Sequence, residues 1–352
     1  MPQTVVITGA AGSLGRRVAA LSAADPDVTR VIAIDPEIHR GDLASTVEVH
    51  ALSPTDPEIK RFLADADSLI HLATATVPGP DGLPTSGEPV TDLAVTRSLL
   101  DDAAAVGLPH LVVLSSAMVY GAWANNPIPL TEDAPLRPDP TLAYATARAE
   151  IERQSFEWRR AQAESAVAVL RPTVSVAAES ADWLAPSPWS AASMRSVGTD
   201  RPSQFLHLDD LASAIDHARR LRLDGPFNVA PDGWLPADLL RDLAGPVGRM
   251  QLPAGFSGRL TSLRSMMGTS GPPEGWAYTQ HSWVVANDKL RATGWAPRHR
   301  NDEVYVEADP GGPLASMSPR RRQELSLLAA AGVVTAAVGV LAWSIRRHRR
   351  RA

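Results

Sequence analysis

Short apolar runs alternate along the first half of this chain with longer segments of helical spacing. The runs are rich in Val, Ile and Leu, which is typical of strands buried on both faces. The predicted strands are Thr4–Thr8, Arg30–Asp35, Val47–Leu52, Ser68–Leu72, His110–Ser115 and Val167–Arg171. The predicted helices include Pro57–Ala64, Thr91–Val106 and Tyr144–Glu164. This alternation predicts an α/β fold in which helices cover both faces of a mostly parallel sheet.

Changes in this pattern predict the domain organisation. Residues 1–174 contain the alternating strands and helices and form the first domain. Residues 175–300 are richer in Pro, Trp and Gly, which predicts a smaller C-terminal lobe with some return to the first domain's sheet. Residues 301–323 are polar and contain Pro, Gly and Arg, so we expect a linker there.

An apolar segment after that linker predicts a membrane anchor. Leu325–Ile345 is 21 residues long, has no charge and lies between arginine clusters. As a helix it measures about 30 Å, enough to cross a hydrocarbon core. We therefore expect a transmembrane helix at 324–346 and a basic tail at 347–352 near membrane lipid. The terminal arginines favour a cytoplasmic tail, which would place the preceding domains outside the cell. We nevertheless expect those domains to be cytoplasmic, because the sequence shows no secretion signal. The alternatives are a helix packed on the protein, a helix lying in the membrane interface and a helix that forms part of an oligomer.

Composition excludes several classes of function. The 352-residue chain is 44% apolar and has a net charge of −5 and a pI near 6.0. Because no basic domain stands out, nucleic-acid binding is not expected. The absence of cysteine excludes disulfides, thiolate nucleophiles and cysteine-ligated metals, and it suits a reducing compartment. The chain opens on a strand-like run instead of a secretion signal, which agrees with a cytoplasmic location of the domains before the predicted anchor.

Three glycines lie between the first predicted strand and the helix after it. Glycine accepts a positive φ there, and without a Cβ it lets peptide N–H groups approach a pyrophosphate. The acidic residue at the end of the second strand, about 20 residues further on, is placed to bind an adenosine ribose. We therefore predict a dinucleotide site, with a purely structural turn as the alternative. Its predicted cofactor contacts are Gly9, Gly12, Ser13, Leu14, Gly15 and Asp35.

Six motifs follow one another in a characteristic order. They are Thr8–Gly15, His71–Ala73, Leu114–Gly121, Tyr144–Arg148, Leu170–Thr173 and Phe205–Ala212. In order and spacing they resemble the extended short-chain dehydrogenase/reductases, the family of NAD-dependent nucleotide-sugar epimerases and dehydratases. The resemblance extends to about residue 300. It implies a Rossmann-type doubly wound parallel sheet, bound NAD and a possible homodimer formed through two helices. It also implies that residues 175–300 are a substrate lobe for a small-molecule substrate.

The resemblance also implies which residues perform the chemistry. Ser116, with Ser115 adjacent, matches the hydroxyl that hydrogen-bonds the reacting group, and Tyr144 matches the general base. A free phenol has a reference pKa of about 10, so a fixed cation beside it is needed to favour ionisation. Arg148 occupies the position of the family's lysine, which supplies that cation and binds the nicotinamide ribose. The further cofactor contacts that the resemblance implies are Leu72, Ala73 and Pro172.

Three positions depart from the family's pattern. Arg148 keeps the positive charge of lysine, but its planar fork is longer and bulkier. Asp92 stands in place of an asparagine, and Ala51 stands in place of an acidic residue near the adenine. Two functions therefore stay open. One is an NAD-dependent oxidoreductase or epimerase that acts on a carbinol of a nucleotide sugar or a related alcohol. The other is a non-catalytic NAD(P)-binding relative that serves as a binding or regulatory module.

Asp35 also bears on the choice of cofactor. A carboxylate at this position repels the 2′-phosphate of NADP, so NAD is the expected cofactor. Arg16 and Arg40 are near in sequence, but neither is adjacent to Asp35.

Other polar residues in these motifs have structural interpretations. His71 is expected to be structural, and Tyr120 matches a position near the sugar site that packing explains equally well. No metal is expected. The resemblance makes His207, Asp209 and Asp210 a strand-to-helix junction in which one of the aspartates caps the helix.

Overall fold

The strands of the computed structural model lie close to the apolar runs that predict them. The structure describes residues 2–72, 89–177, 201–243 and 276–308. Its strands are β1 (Gln3–Thr8), β2 (Val28–Ile34), β3 (Val47–His50), β4 (Ser68–His71), β5 (His110–Leu114), β6 (Ala166–Pro172), β7 (Val174–Val176), β8 (Phe205–His207) and β9 (Gly225–Val229). Strands β1 to β6 match the six predicted runs to within two residues at each end.

The main sheet is parallel and doubly wound. Its strand order is β3-β2-β1-β4-β5-β6-β9, and each neighbouring pair runs parallel. The chain winds outward from β1 in one direction and from β4 in the other. The carboxyl ends of β1 and β4 therefore border a crevice of the kind in which open α/β sheets bind ligands. The register places Thr8 beside His71 at this edge.

Helices cover both faces of the sheet. The principal ones are α1 (Ser13–Ala24), α2 (Ile59–Ala64), α3 (Pro89–Val106), α4 (Ala143–Ala161) and α5 (Leu208–Arg220). Alternate residues of β1 point to opposite faces: Val5 and Ile7 pack in a core with α1 and α5, and Val6 packs in a core with α2, α3 and α4. This arrangement confirms the predicted Rossmann-type α/β fold.

A smaller group of elements lies beyond β6. Strands β7 and β8 form a parallel pair, followed in the chain by α6 (Ala237–Leu243), α7 (Trp276–Gln280), α8 (Asp288–Arg291) and α9 (Asn301–Ala308). Aromatic residues from these segments share a buried core with the residues after β5. Strand β9 instead joins the edge of the main sheet beside β6.

Helix α9 occupies the first eight residues of the predicted linker. Val304 and Tyr305 are buried, and Asn301 accepts a hydrogen bond through Oδ1 from the Phe205 backbone N–H at 2.9 Å. A linker would leave these side chains in solvent. Residues 301–308 are therefore a packed helix, and the linker prediction is wrong for them.

Several predicted features lie outside the described residues. They are the rest of the linker (309–323), the transmembrane helix (324–346), the basic tail (347–352) and the cofactor contact Ala73. Among the helices that the structure does describe, none has the length and apolar content to cross a membrane.

Candidate functional site

The glycine turn closes tightly against the start of α1. Gly9 has a φ of 80°, which a residue with a side chain rarely adopts. A Cβ on Gly15 would come 2.2 Å from the Gly9 carbonyl oxygen, so only glycine lets the helix approach the turn this closely. Gly12 is the N-cap residue and is exposed, as is Ser13. The turn therefore presents the positive end of a helix dipole at an open surface, as a bound pyrophosphate requires.

Asp35 is bound to this turn. Its Oδ2 accepts a hydrogen bond from the Ala11 N–H at 3.2 Å, and its Oδ1 accepts one from the Glu37 N–H at 2.9 Å. Both bonds hold the Asp35 carboxylate next to the glycine turn. Arg16 lies close by, but it donates to the Ala11 carbonyl at 2.8 Å and its guanidinium lies 3.6 Å from Asp42. These contacts favour a ribose diol over a 2′-phosphate.

The two serines after β5 have different roles. The Ser115 hydroxyl donates to Glu152 Oε1 at 2.5 Å in a buried contact. Ser116 caps the 3₁₀ helix Ala117–Tyr120, and its Oγ accepts from the Met118 N–H at 3.2 Å. Because that bond uses a lone pair only, the Ser116 hydroxyl keeps its proton for a ligand. Of the two candidates, Ser116 is thus the one suited to contact a reacting oxygen.

Glu152 is the centre of a buried polar network behind these serines. Arg171 binds its carboxylate with two nitrogens, at 3.0 and 2.6 Å. Arg171 also donates to the Tyr120 hydroxyl at 2.7 Å, which in turn donates to Asn228 at 2.8 Å. Burial raises the pKa of Tyr120 to about 12 despite the neighbouring guanidinium. With no exposed surface, Tyr120 is therefore a packing residue rather than a sugar contact.

Tyr144 and Arg148 lie one turn apart on α4. The Arg148 guanidinium carbon lies 5.1 Å from the centroid of the Tyr144 ring. Arg148 donates through Nη1 to the Leu114 carbonyl and through Nη2 to Asp92 Oδ2, each at 3.2 Å. Leu114 ends β5, two residues before Ser116, so this bond ties the tyrosine's helix to the strand that leads to the serine.

Two of the three departures from the family's pattern are therefore in contact with each other. Arg148 and Asp92 form an ion pair whose side chains are only 6% and 3% exposed. Ala51, the third departure, is exposed after β3. The sequence did not show this contact, because the two residues are 56 positions apart and come from different helices.

His71 belongs to a directional chain of hydrogen bonds below the same site. The Thr96 hydroxyl donates to the Asp92 carbonyl at 2.8 Å, so its oxygen accepts from His71 Nε2 at 3.1 Å. His71 Nδ1 then accepts from the Thr8 hydroxyl at 2.8 Å. Burial, aided by the charge of Arg148, lowers the pKa of His71 to about 3. The ring is neutral and structural, and it links the strand before the glycines to α3.

The remaining implied cofactor contacts lie at the carboxyl edge of the sheet. Leu72 is buried after β4, and its N–H donates to the Thr8 carbonyl at 3.0 Å. Pro172 is the last residue of β6 and pairs in register with Val229.

A cavity follows directly after Pro172, and sequence reasoning missed its charged residue. Arg201 donates to the Ser203 hydroxyl at 3.0 Å. Burial lowers the pKa of Arg201 to about 10, which leaves the guanidinium charged at neutral pH. The cavity is lined by Thr173, Val174, Arg201, Pro202, Ser203, Gln204, Phe205, Trp283 and Val284. The cavity has room for about one water molecule, so it is too small to hold a nucleotide sugar.

The junction at the start of α5 is capped by a histidine rather than by an aspartate. His207 Nδ1 accepts from the Asp209 N–H at 3.1 Å. Potential metal ligands of His207, Asp209 and His299 lie within 4.8 Å of one another. However, Asp209 is paired with Arg17, and His299 lies 3.1 Å from an Asp210 oxygen. The prediction that Asp209 or Asp210 caps the helix is wrong. Both aspartates lie within the first turn of the helix, and the N-cap residue is His207, whose ring nitrogen accepts the Asp209 N–H.

Comparisons with known proteins identify a family and a fold. Residues 5–230 match the model of the NAD dependent epimerase/dehydratase family. The uncharacterized protein Rv0501 of Mycobacterium tuberculosis is 24% identical over 314 residues, which cover 86% of this chain and 82% of that protein.

Solved structures of sugar-nucleotide epimerases share the fold at low identity. UDP-N-acetylglucosamine 4-epimerase from Methanobrevibacter ruminantium, in complex with UDP-N-acetylmuramic acid, matches with a TM-score of 0.62 at 17% identity, over 87% of this chain and 97% of that one. A mutant UDP-glucuronic acid 4-epimerase from Bacillus cereus, in complex with a fluorinated substrate analogue and NAD, matches with a TM-score of 0.60 at 15% identity, over 87% and 98%.

Proposed function

Because the chain belongs to the NAD dependent epimerase/dehydratase family, we propose that it is an NAD-dependent oxidoreductase or epimerase that acts on a carbinol of a nucleotide sugar. One observation supports this proposal most: the glycine turn, Ser116 and the helix with Tyr144 and Arg148 all lie at the carboxyl edge of the sheet. The NAD-binding residues would be those of the glycine turn together with Asp35, Leu72 and Pro172. When bound there, NAD supplies the oxidant that accepts hydride from the carbinol carbon.

The chain's own residues would handle the proton and the oxygen of the substrate. Tyr144 is half-buried at the start of α4 and would take the hydroxyl proton as general base. Ser116 would donate a hydrogen bond to the same oxygen. The guanidinium of Arg148 beside the Tyr144 ring would stabilise the negative charge that forms on the phenol oxygen.

The substrate class is supported by the solved structures that share this fold. They include epimerase complexes with UDP-linked sugars, and a nucleotide sugar is therefore the substrate that we propose.

The test is turnover of UDP- and dTDP-hexoses by the purified full-length chain in the presence of NAD. We expect turnover in the wild type and its loss in Tyr144→Phe, because the variant removes the proton acceptor. Arg153→Ala is the matched control. It removes surface ion pairs from the same helix and leaves turnover unchanged. Equal rates in Tyr144→Phe and the wild type would refute the mechanism.

A second candidate function follows from the Asp92–Arg148 pair. A guanidinium that is paired with a buried carboxylate contributes less net positive charge at the Tyr144 phenol than an unpaired ammonium would. This favours a cofactor-binding relative that has little turnover. The same assay separates the candidates: NAD binding without turnover on any sugar nucleotide supports the second.

Membrane tethering through 324–346 is proposed on sequence grounds alone, with the NAD-binding domain on the cytoplasmic side. Its test is fractionation of the full-length chain beside a chain ending at Ser318. Only the full-length chain should enter the membrane fraction, and solubility of both would refute the anchor.

A further inference from the structure

The ion pair between α3 and α4 points to a role for an acidic residue outside the predicted site. We propose that Asp92 is a positioning residue that holds the Arg148 guanidinium beside Tyr144, so that the two charged side chains serve the cofactor site as one unit. The inference rests on the proposed function only in assuming that NAD binds next to Arg148.

The contacts of Arg148 define the plane of its guanidinium group. Its two terminal nitrogens bind different acceptors: Leu114 O on β5 and Asp92 Oδ2 on α3. A planar guanidinium that is held at both ends has little rotational freedom. A lysine ammonium at the same position would rotate more freely. The centre of the fork then lies 5.1 Å from the Tyr144 ring centroid. Asp92 thus determines where the charge lies relative to the phenol.

The backbone of Asp92 is held by further hydrogen bonds. Its backbone carbonyl accepts the Thr96 hydroxyl, and through His71 this contact reaches Thr8, the last residue before the glycine turn. Each of these side chains is at least nine-tenths buried. The helical turn that carries Asp92 is therefore linked to the strand that leads into the glycine turn.

Burial makes the two residues mutually dependent. Both side chains are withdrawn from water, so removal of either leaves the other as a buried charge that has lost its main counter-ion. A residue that only fills space would affect NAD binding independently of Arg148. A residue that positions Arg148 would have no further effect once that arginine is gone.

The experiment is a double-mutant cycle on NAD affinity, measured by calorimetry on the full-length chain. We expect Asp92→Ala and Arg148→Met each to weaken NAD binding about tenfold, and the double variant to be weakened about tenfold rather than a hundredfold, because contacting residues are not additive. Asp92→Asn, which retains one acceptor oxygen, should recover most of the affinity in the presence of Arg148 and none in its absence.

A control uses another buried aspartate–arginine contact in the described part of the chain. Asp25 pairs with Arg219, which has no exposed side-chain surface, and Asp25 lies at the amino edge of the sheet, opposite the cofactor crevice. Asp25→Ala should lower the unfolding midpoint and leave NAD affinity unchanged. The unfolding midpoints of all variants, measured without NAD, show that each is folded at the temperature of the binding assay.

Three results would overturn the inference. If the NAD affinity of the double variant is lowered by the product of the two single effects, the residues act independently. Unchanged NAD affinity in Asp92→Ala would show that Asp92 does not position Arg148. In both cases wild-type NAD binding stands, so the proposed function survives. A wild-type chain that binds no NAD refutes the proposed function and this inference together.

Discussion

We expect the protein to lose stability as the pH falls from 8 to 5, because two buried histidines stay neutral in the folded state. Burial lowers the pKa of His110 to about 4, and burial aided by Arg148 lowers that of His71 to about 3. The unfolded side chains have a pKa near 6.5. Between these values the unfolded chain binds more protons than the folded chain, so the free energy of unfolding decreases as the pH falls.

The size of the effect follows from these pKa differences. At pH 5 an unfolded histidine lies 1.5 units below its pKa, whereas both folded rings are still neutral. At about 1.36 kcal/mol per unit, each histidine costs about 2 kcal/mol of stability relative to pH 8. Ordinary carboxyl groups titrate mainly below this window, so the two rings together account for a loss of about 4 kcal/mol.

The assay is urea denaturation of the wild type and of His110→Gln at both pH values. His110 Nε2 contacts the Leu223 carbonyl at 3.2 Å, and a glutamine amide offers a donor there without titrating. The decrease from pH 8 to pH 5 should be about 2 kcal/mol smaller in the variant. His39→Gln, a change at an 84% exposed side chain, is the control and should show the wild-type decrease. Equal decreases in His110→Gln and the wild type would refute the reasoning.

Three further substitutions test other parts of the structure. Gly15→Ala places a Cβ against the turn's backbone and should lower both the thermal midpoint and NAD affinity, whereas Gly41→Ala, which meets nothing within 4 Å, should change neither. Glu152→Gln leaves Arg171 as an uncompensated buried charge and should cost about 3–5 kcal/mol in urea denaturation; a loss below 1 kcal/mol would contradict the network's role. Asp35→Ala should narrow the preference for NAD over NADP in parallel titrations, and an unchanged ratio would show that Asp35 does not select the cofactor.

The fold and the glycine turn could be predicted because their signals are local. Each strand and helix has its own hydrophobic pattern, and the turn has three glycines within seven residues. Helix α9 was not predicted, because it lacks such a local signal: its sequence mixes charged and apolar residues without a clear apolar stripe. Its helical form depends on packing against β8, which no local pattern reports.

The polar contacts of the site could not be predicted, because they join distant parts of the chain. Thr8 and His71 are 63 positions apart and meet through the register of β1 and β4. The choice between Ser115 and Ser116 depends on Glu152, 37 positions beyond Ser115. The sequence shows that polar residues follow the strands, but only the sheet order shows which of them are neighbours.

The contact between Asp92 and Arg148 has a consequence for how this site changes over evolutionary time. Once the pair exists, replacing Arg148 alone by a neutral residue leaves Asp92 as a buried carboxylate that has lost its counter-ion, and such a protein is poorly stable. Selection therefore favours keeping the two residues together or replacing both. Among related chains, an arginine at the second position should be accompanied by an acidic residue at the first, and a survey of their sequences can count how often the two residues occur together.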